Sequence, residues 1–577
     1  MHIILEKNVK ELGKEFEFEV SESKLFEFFC NYCIVKKSYL GRFNPSDVTT
    51  EEDDASIDGI AFIVDGELIS KKEDAEEYFK SHKSNLPVKL ILTQVKSGEK
   101  FVKKEISNFN VGIKDFLSLE PKLPNGTFNK ESIEIFNVII DNLKKVRNKL
   151  PDLEVYYCTS GTYSEEREIK ASFEMIEREA KSTDLFREVT VYPMGRSELN
   201  QLWNSLNASN EAKLTLREYF GMPEMPNIPQ SYVGLINAKE FVDKVLIDSN
   251  GNIKNEVFEE NIRAYLGENP VNRKIKSTLN NEDKKKLFSV LNNGVTIVTP
   301  DLTLTPNTKQ IELTNYQIIN GCQTSNTLFE NYHLLDNNVN VVVKCIESSD
   351  GDNITDIISA TNSQTDIPEE SFFSLTEKSK LIQKFFEIQN SEVEKDSQVY
   401  FERRENEFKN EDVLQSRIVD IKSICRSYNA MFLNQPNISS RYVSAIFETQ
   451  KDKLFQDNDQ EVLYYVSALC LCRISSLINQ RKHNSHKYRA LKWHILYIYK
   501  YLVHKSLKDI QSNSNRAKSY CEPIIKSLTS SNKEYEILFQ HCYRVIDSID
   551  FPTSDVLKRA RFTSDLRDAT KKYLKNM

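Results

Sequence analysis

Residues 88–97, VKLILTQVKS, constrain the fold more than any other stretch. They read as a strongly apolar strand that ends in polar residues, so this chain must bury a sheet. The segments around it alternate between helical and strand periodicity. SESKLFEFFCNYCIVKK places Leu25, Phe28, Phe29 and Tyr32 on one helical face, with Ser21 or Ser23 as the cap. GIAFIVDGELI reads as a strand, a tight Asp65-Gly66 turn and a second strand. KEDAEEYFKSH is a short polar helix, and two further helical stretches fall around 104–119 and 129–149. LEVYYCTS, SEEREIKASFEMIEREAKS and REVTVYPMG then add strand, helix and strand. This order predicts an α/β domain with a mixed central sheet over residues 1–205.

YFGMPEMPNIPQSY is rich in proline and marks a connector over 206–232. A second α/β core is expected over 233–370, with strands in NGVTIVTP, QIELTNYQIIN and NVNVVVKCIES. Residues 371–577 turn helical, interrupted by short runs such as SQVYFER, and are expected to lie on that second core. No run of 18 apolar residues is present. The N-terminal stretch also lacks the charged, apolar and small-residue order of a signal peptide. The expectation is a cytoplasmic protein with no membrane partner. The ten cysteines lie mostly in apolar helical or strand contexts, which suggests reduced, buried thiols. Cys30-x-x-Cys33 reads as a packed helix face. His483-x-x-His486 has no cysteine pair at finger spacing, and no HExxH occurs, so no zinc site is expected.

The net charge of −8 hides an asymmetry: residues 451–577 carry +10 and the rest −18. QRKHNSHKYRALKWH interleaves Arg481, Lys482, Lys487 and Arg489 with Tyr488 and Trp493. Basic groups neutralise phosphates and aromatics stack on bases, so these four residues are candidate nucleic-acid contacts. Solvated helix faces are the plainer reading, and Trp493 reads as packed.

Two short segments carry the chemistry. Asp58 opens an apolar strand after an acidic loop that includes Asp53 and Asp54. Gln94 and Lys96, two apart at the end of a strand, project from one face, with Val95 pointing the other way into a core. Phosphodiester hydrolysis needs a carboxylate and further oxygens to hold a divalent cation. It also needs a cation that positions water and offsets developing charge. Asp58, the Gln94 amide oxygen and the Val95 backbone carbonyl supply the oxygens; Lys96 supplies the cation. Mg2+ or Mn2+ is the expected cofactor.

The order helix, strand with Asp58, strand with Gln94-x-Lys96, helix resembles the PD-(D/E)xK nuclease superfamily, and within it the QxK branch. The resemblance implies a restriction-endonuclease-like domain and a Glu on the first helix facing the site, for which Glu27 is the candidate and Glu22 a weaker one. The plainer reading is a strand whose lysine reaches solvent.

In the middle of the chain, Asn292, Asn293 and Gly294 form a turn before a strand, and TNYQIINGCQTSNTL packs polar groups onto a strand-to-helix turn. Gly321 allows the sharp turn, and Thr324 or Ser325 is placed to cap the helix that follows. Asn320, Gln323 and, downstream in ATNSQTDI, Asn362 complete a candidate ligand-sensing set. A buried hydrogen-bond network that holds the domain together is the alternative. Cys322 has no histidine near it in sequence, so it is not read as a nucleophile.

NNGVTIV, TNYQIINGCQTSNTL and ATNSQTDI, in that order, with RAYLGENPVN and VYFERRENEF around them, resemble the abortive infection phage resistance (AIPR) family. Such proteins commonly carry a nuclease-like N-terminal domain. Here DDASIDGI places Ala55 and Ser56 where the family pattern has a pair of glycines. The resemblance implies an antiviral effector that cuts DNA or RNA, with its C-terminal region sensing infection or holding substrate. A phage-derived trigger or a neighbouring defence protein is an expected partner, and a homodimer is compatible with cutting two strands. One alternative is a non-catalytic nucleic-acid-binding or scaffold protein with a decayed nuclease fold. A third is a restriction-type component working with a methyltransferase.

Overall fold

A computed structural model of the chain describes residues 1–577 except 40, 52–54, 82–84, 125, 208–209, 249–250, 252, 259–269, 349–352, 355–356, 358–372, 375, 405–406, 409–410, 442 and 577. Asp53, Asp54, Asn362 with its neighbours, and most of RAYLGENPVN therefore lie outside the described residues. The chain divides into two compact units: residues 1–35, 41–201 and 368–577 form one, and residues 36–40 and 202–367 the other.

The first unit opens with helices α1 (Ile3–Glu15) and α2 (Glu22–Lys36). Strands β1 (Gly59–Val64), β2 (Glu67–Ile69), β3 (Val88–Lys96), β4 (Asp152–Thr159) and β5 (Glu188–Met194) form a sheet in the order β2-β1-β3-β4-β5. β1 runs antiparallel to both β2 and β3, while β3, β4 and β5 are parallel, so the sheet is mixed as expected. Asp65 and Gly66 take φ of 51° and 84°, the left-handed pair that a two-residue hairpin turn requires. β3 is buried along nearly its whole length, which is why it is an apolar run rather than an alternating one.

Helices α3 (Lys72–Ser81), α4 (Lys103–Leu117), α5 (Thr127–Asp141) and α6 (Arg167–Lys181) complete this α/β part. Leu90, Leu92 and Tyr157 pack with Phe109, Ile113, Phe136 and Phe173 in one apolar core. Ser21 caps α2 by accepting from the Lys24 N–H at 3.3 Å. Cys30 and Cys33 are fully buried on α2, and all ten cysteines are buried and outside disulfides, in line with the reading of reduced thiols.

The helical region beginning at residue 368 belongs to the unit of this α/β part, not to the second core as the order of segments suggests. Ion pairs link the two parts. Arg417 meets Glu17 at 2.9 Å, Lys422 meets Glu67 at 3.2 Å, Lys482 meets Glu19 at 3.6 Å and Arg489 meets Asp47 at 3.9 Å. Lys558 pairs with Glu73. In each the acid lies on the α/β part and the base on the helical region. One pair runs the other way: Arg42 grips Glu402 with both ends of its fork, Nη2 to Oε1 at 2.7 Å. Lys482, Arg489 and Lys558 of residues 451–577 are thus answered by acids of the α/β part.

Helix Glu461–Asn479 is long and apolar enough to cross a membrane by length and composition, although no 18-residue run in it is wholly apolar. Its most apolar window is 89% buried against its neighbours. Tyr464 stacks on Tyr428 at 4.0 Å, and Trp493 is packed, 5% exposed. A small parallel pair, Tyr400–Glu402 with Ile418–Asp420, accounts for the strand-like SQVYFER run.

Burial, assisted by Glu11, pushes the Glu15 carboxyl up to about 7 against the pull of Arg42. The folded state therefore binds this proton more tightly than the unfolded chain, whose value is near 4.5. Stability is lost as pH rises from the lower value through the higher. Glu15→Gln is expected to gain about 2 kcal/mol at pH 8 and nothing below about pH 4, measured by urea unfolding at both pH values.

In the second unit β6 (Glu211–Thr215), β7 (Glu218–Gly221), β8 (Ser231–Asn237), β9 (Val295–Thr299), β10 (Asp301–Thr305), β11 (Gln310–Thr314), β12 (Gln317–Asn320) and β13 (Asn340–Glu347) form two sheets among the described residues. Their orders are β10-β11-β6 and β12-β9-β13-β8-β7. QIELTNYQIIN, expected as one strand, is two strands in different sheets. The break falls at Asn315, whose φ of 53° no extended strand tolerates.

Candidate functional site

The end of β3 and the entry to β1 meet at Asp58, which is 5% exposed. Its N–H donates to the Thr93 carbonyl at 2.8 Å. Its carbonyl accepts from the Thr50 N–H at 3.1 Å and from Asn31 Nδ2 at 3.1 Å. Asn31 Oδ1 in turn accepts from Thr93 Oγ1 at 2.6 Å. A Cβ on Gly59 would stand 2.5 Å from both Asn31 Nδ2 and Thr93 Oγ1, so only glycine lets α2 clamp the two strands here. Asn31 was not among the residues singled out, yet it is a lone amide in the apolar run FFCNYCIV, which is a readable signal.

The Asp58 carboxylate meets the other candidates. Its Oδ2 accepts from the Val95 N–H at 2.6 Å and from Gln94 Nε2, and lies 3.9 Å from Lys96 Nζ. Neighbouring peptides alternate along a strand, so the Val95 carbonyl lies on the same edge as its N–H, where β1 has ended. Gln94 is 1% exposed, and its Oε1 is buried with no hydrogen-bond partner. A half turn of the amide would place that oxygen beside Asp58 Oδ2. Two acceptors in contact are tolerable only with a cation between them. With the amide so turned, the oxygen donors would suit a hard divalent cation. Among the described residues no group of three His, Cys, Asp or Glu side chains is arranged to hold a metal. The set consists instead of one carboxylate, one amide and one peptide carbonyl.

Glu27 lies on α2, which packs on the other face of β3. It pairs with Lys24 at 2.7 Å. Its neighbours on the same helix face are Ser23, 3.4 Å from Ser97, and Asn31, bonded to Thr93. Thr93 and Ser97 alternate to the opposite sheet face from Gln94 and Lys96. Ala55 and Ser56 take φ of 50° and 64°, the region that favours the glycines of the family pattern. Gly112 on α4 makes room for them, because a Cβ there would meet the Ala55 carbonyl oxygen at 1.9 Å.

In the second unit the polar turns interlock. Thr324 Oγ1 donates to Asn292 Oδ1 at 2.8 Å. Gly294 and Gly321 have φ of 81° and 92°, and a Cβ on Gly321 would stand 2.7 Å from the Gly294 carbonyl oxygen. The helix begins at Cys322 with Gly321 at its cap, so Thr324 and Ser325 lie inside its first turn rather than capping it. Asn293 is exposed, while Asn320 and Gln323 are half-buried. Burial pushes the Cys322 thiol up to about 12, which suits a packed thiol and not a nucleophile. Gly321→Ala combines backbone strain with a backbone clash and is expected to cost about 3 kcal/mol. Gly251→Ala, with φ of 81° but open space, should cost about 1 kcal/mol; urea midpoints compare the two.

Of the basic candidates, Arg481 and Lys487 are exposed, while Lys482 and Arg489 hold Glu19 and Asp47 of the α/β part. No curated protein and no solved structure matches the chain. A sequence model described as AIPR protein matches residues 258–552, which is more than half of the 577. It spans the interlocked turns and most of the helical region, and by it the chain belongs to the AIPR family.

Proposed function

We propose that this protein is a divalent-metal-dependent nuclease acting in phage defence. Membership of the AIPR family supports a role in phage defence by abortive infection. The observation that carries the catalytic part is that the buried Gln94 amide, its Oε1 unpartnered, and Lys96 Nζ, 3.9 Å away, both meet the Asp58 carboxylate. Asp58, the Gln94 amide oxygen and the Val95 carbonyl would hold Mg2+ or Mn2+. When bound, the metal would acidify a water and neutralise phosphate charge. Lys96 orients the attacking water and offsets charge developing on the phosphate oxygens during in-line hydrolysis. Asn31 and Gly59 keep Asp58 at the strand end, so the groups are preorganised. The AIPR region senses infection or holds substrate, and of the four basic candidates Arg481 and Lys487 have surface to offer a phosphate backbone.

A second reading has its own support. The Asp58 carboxylate is already satisfied by the Val95 N–H and the Gln94 amide, as in a decayed site on a nucleic-acid-binding scaffold. Purified protein incubated with supercoiled plasmid, linear duplex, single-stranded DNA and total RNA, with and without Mg2+ or Mn2+, separates the two. Metal-dependent cutting of at least one substrate is expected. Binding without cutting of any of them, in cells' extracts from infected as well as uninfected cultures, favours the scaffold.

A further inference from the structure

Replacing an acid by Gln94 leaves the site with a single carboxylate, and affinity for a divalent cation falls with each charge lost. The structure carries a second carboxylate on the same sheet face. Tyr157 on β4 lies in register with Gln94 on β3, so the two side chains leave the sheet on one side. Phe101 and Phe109 bring their rings 5.8 and 6.3 Å from the Tyr157 ring. Glu105 stands one helical turn before Phe109 and two turns before Gly112, which abuts Ala55, so it lies half-buried on the side of α4 that faces the sheet. The Tyr157 side chain is fully buried, and its hydroxyl has no hydrogen-bond partner. Its acidity is depressed by burial, then by the charge of Glu105, then by that of Asp58.

Two unpartnered buried polar atoms, Gln94 Oε1 and Tyr157 Oη, thus belong to side chains in register on one sheet face. We propose that Glu105 is the second carboxylate of the hydrolytic site and that the Tyr157 hydroxyl positions the water held between Glu105 and Asp58. This rests on the reading of Asp58, Gln94 and Lys96 as that site. It assigns to α4 the charge that Glu27, paired with Lys24 by α2, is not placed to give on this face.

Mn2+ binding to the full-length protein, followed by the loss of the free-ion electron paramagnetic resonance signal, tests the proposal without relying on turnover. Glu105→Gln is expected to weaken Mn2+ binding at least about tenfold, with Glu105→Asp recovering part of it. Tyr157→Phe should bind Mn2+ more weakly with an unchanged or higher melting temperature, because it removes only an unpartnered hydroxyl. Glu168→Gln, whose carboxylate pairs with Lys103 at the surface, should bind as the wild type does. If Asp58→Asn loses Mn2+ while Glu105→Gln and Tyr157→Phe keep wild-type affinity, Glu105 is outside the site and the proposal fails while the underlying reading stands. If Asp58→Asn binds as tightly as wild type, both fail.

Discussion

Lys96→Ala is expected to lower metal-dependent cleavage by about 10²–10³-fold, the usual loss when one preorganised electrostatic group is removed from a transition state. Asp58→Asn should cost at least as much, since it removes the carboxylate that meets Gln94, Val95 and Lys96 together. Neither change should disturb folding much. The Lys96 side chain is 37% exposed, and its distance to Asp58 is that of a loose ion pair, so its loss should alter stability by less than about 1 kcal/mol. Asn at position 58 keeps an oxygen that can accept from the Val95 N–H. Lost cleavage with an unchanged urea midpoint is therefore the expected signature. Lost cleavage with a collapsed midpoint would count as unfolding and not as chemistry.

The largest expected effect on stability lies elsewhere. Arg42→Met leaves Glu402, 2% exposed, without the guanidinium that answers its charge. Burial already holds the Glu402 carboxyl above the usual range, outweighing the attraction of Arg42. Removing one partner of such a pair costs about 3 kcal/mol, far more than removing both. Arg42→Met/Glu402→Gln should therefore recover most of the loss. The pH dependence has a definite sign. A carboxyl raised above its unfolded value destabilises the fold once it ionises, so the defect of Arg42→Met should be greatest near pH 8. It should shrink as pH falls and Glu402 takes up its proton. Urea unfolding across pH 4.5–8 measures this. A defect that does not depend on pH would mean that lost packing of the Arg42 stem, not the stranded charge, is responsible.

Local signals predicted local structure well. The apolar run of β3, the Asp65-Gly66 hairpin and the Ser21 cap each depend on residues adjacent in sequence, so their chemistry was legible there. The convergence of Asp58, Gln94 and Lys96 was legible for the same reason: β1 and β3 are antiparallel neighbours joined through one short helix. The docking of the helical region was not legible. It depends on pairs such as Glu17 with Arg417 and Glu73 with Lys558, hundreds of residues apart, and charge patterning alone cannot tell an internal acidic partner from an external phosphate. Glu105 was hidden similarly, as one charge among several in KKEIS. The buried Phe109, Gly112 and Ile113 mark which side of α4 faces the sheet only once the fold is known. The split of β11 from β12 did have a local clue, because asparagine tolerates the left-handed conformation found at Asn315.

The central claim is that defence depends on hydrolysis at the end of β3. Phage challenge of cells carrying the wild-type chain or Lys96→Ala at matched protein levels tests it most directly. The account predicts that protection is lost with Lys96→Ala although the protein accumulates normally. Protection retained by Lys96→Ala would contradict it, and the chain would then defend by binding rather than by cutting.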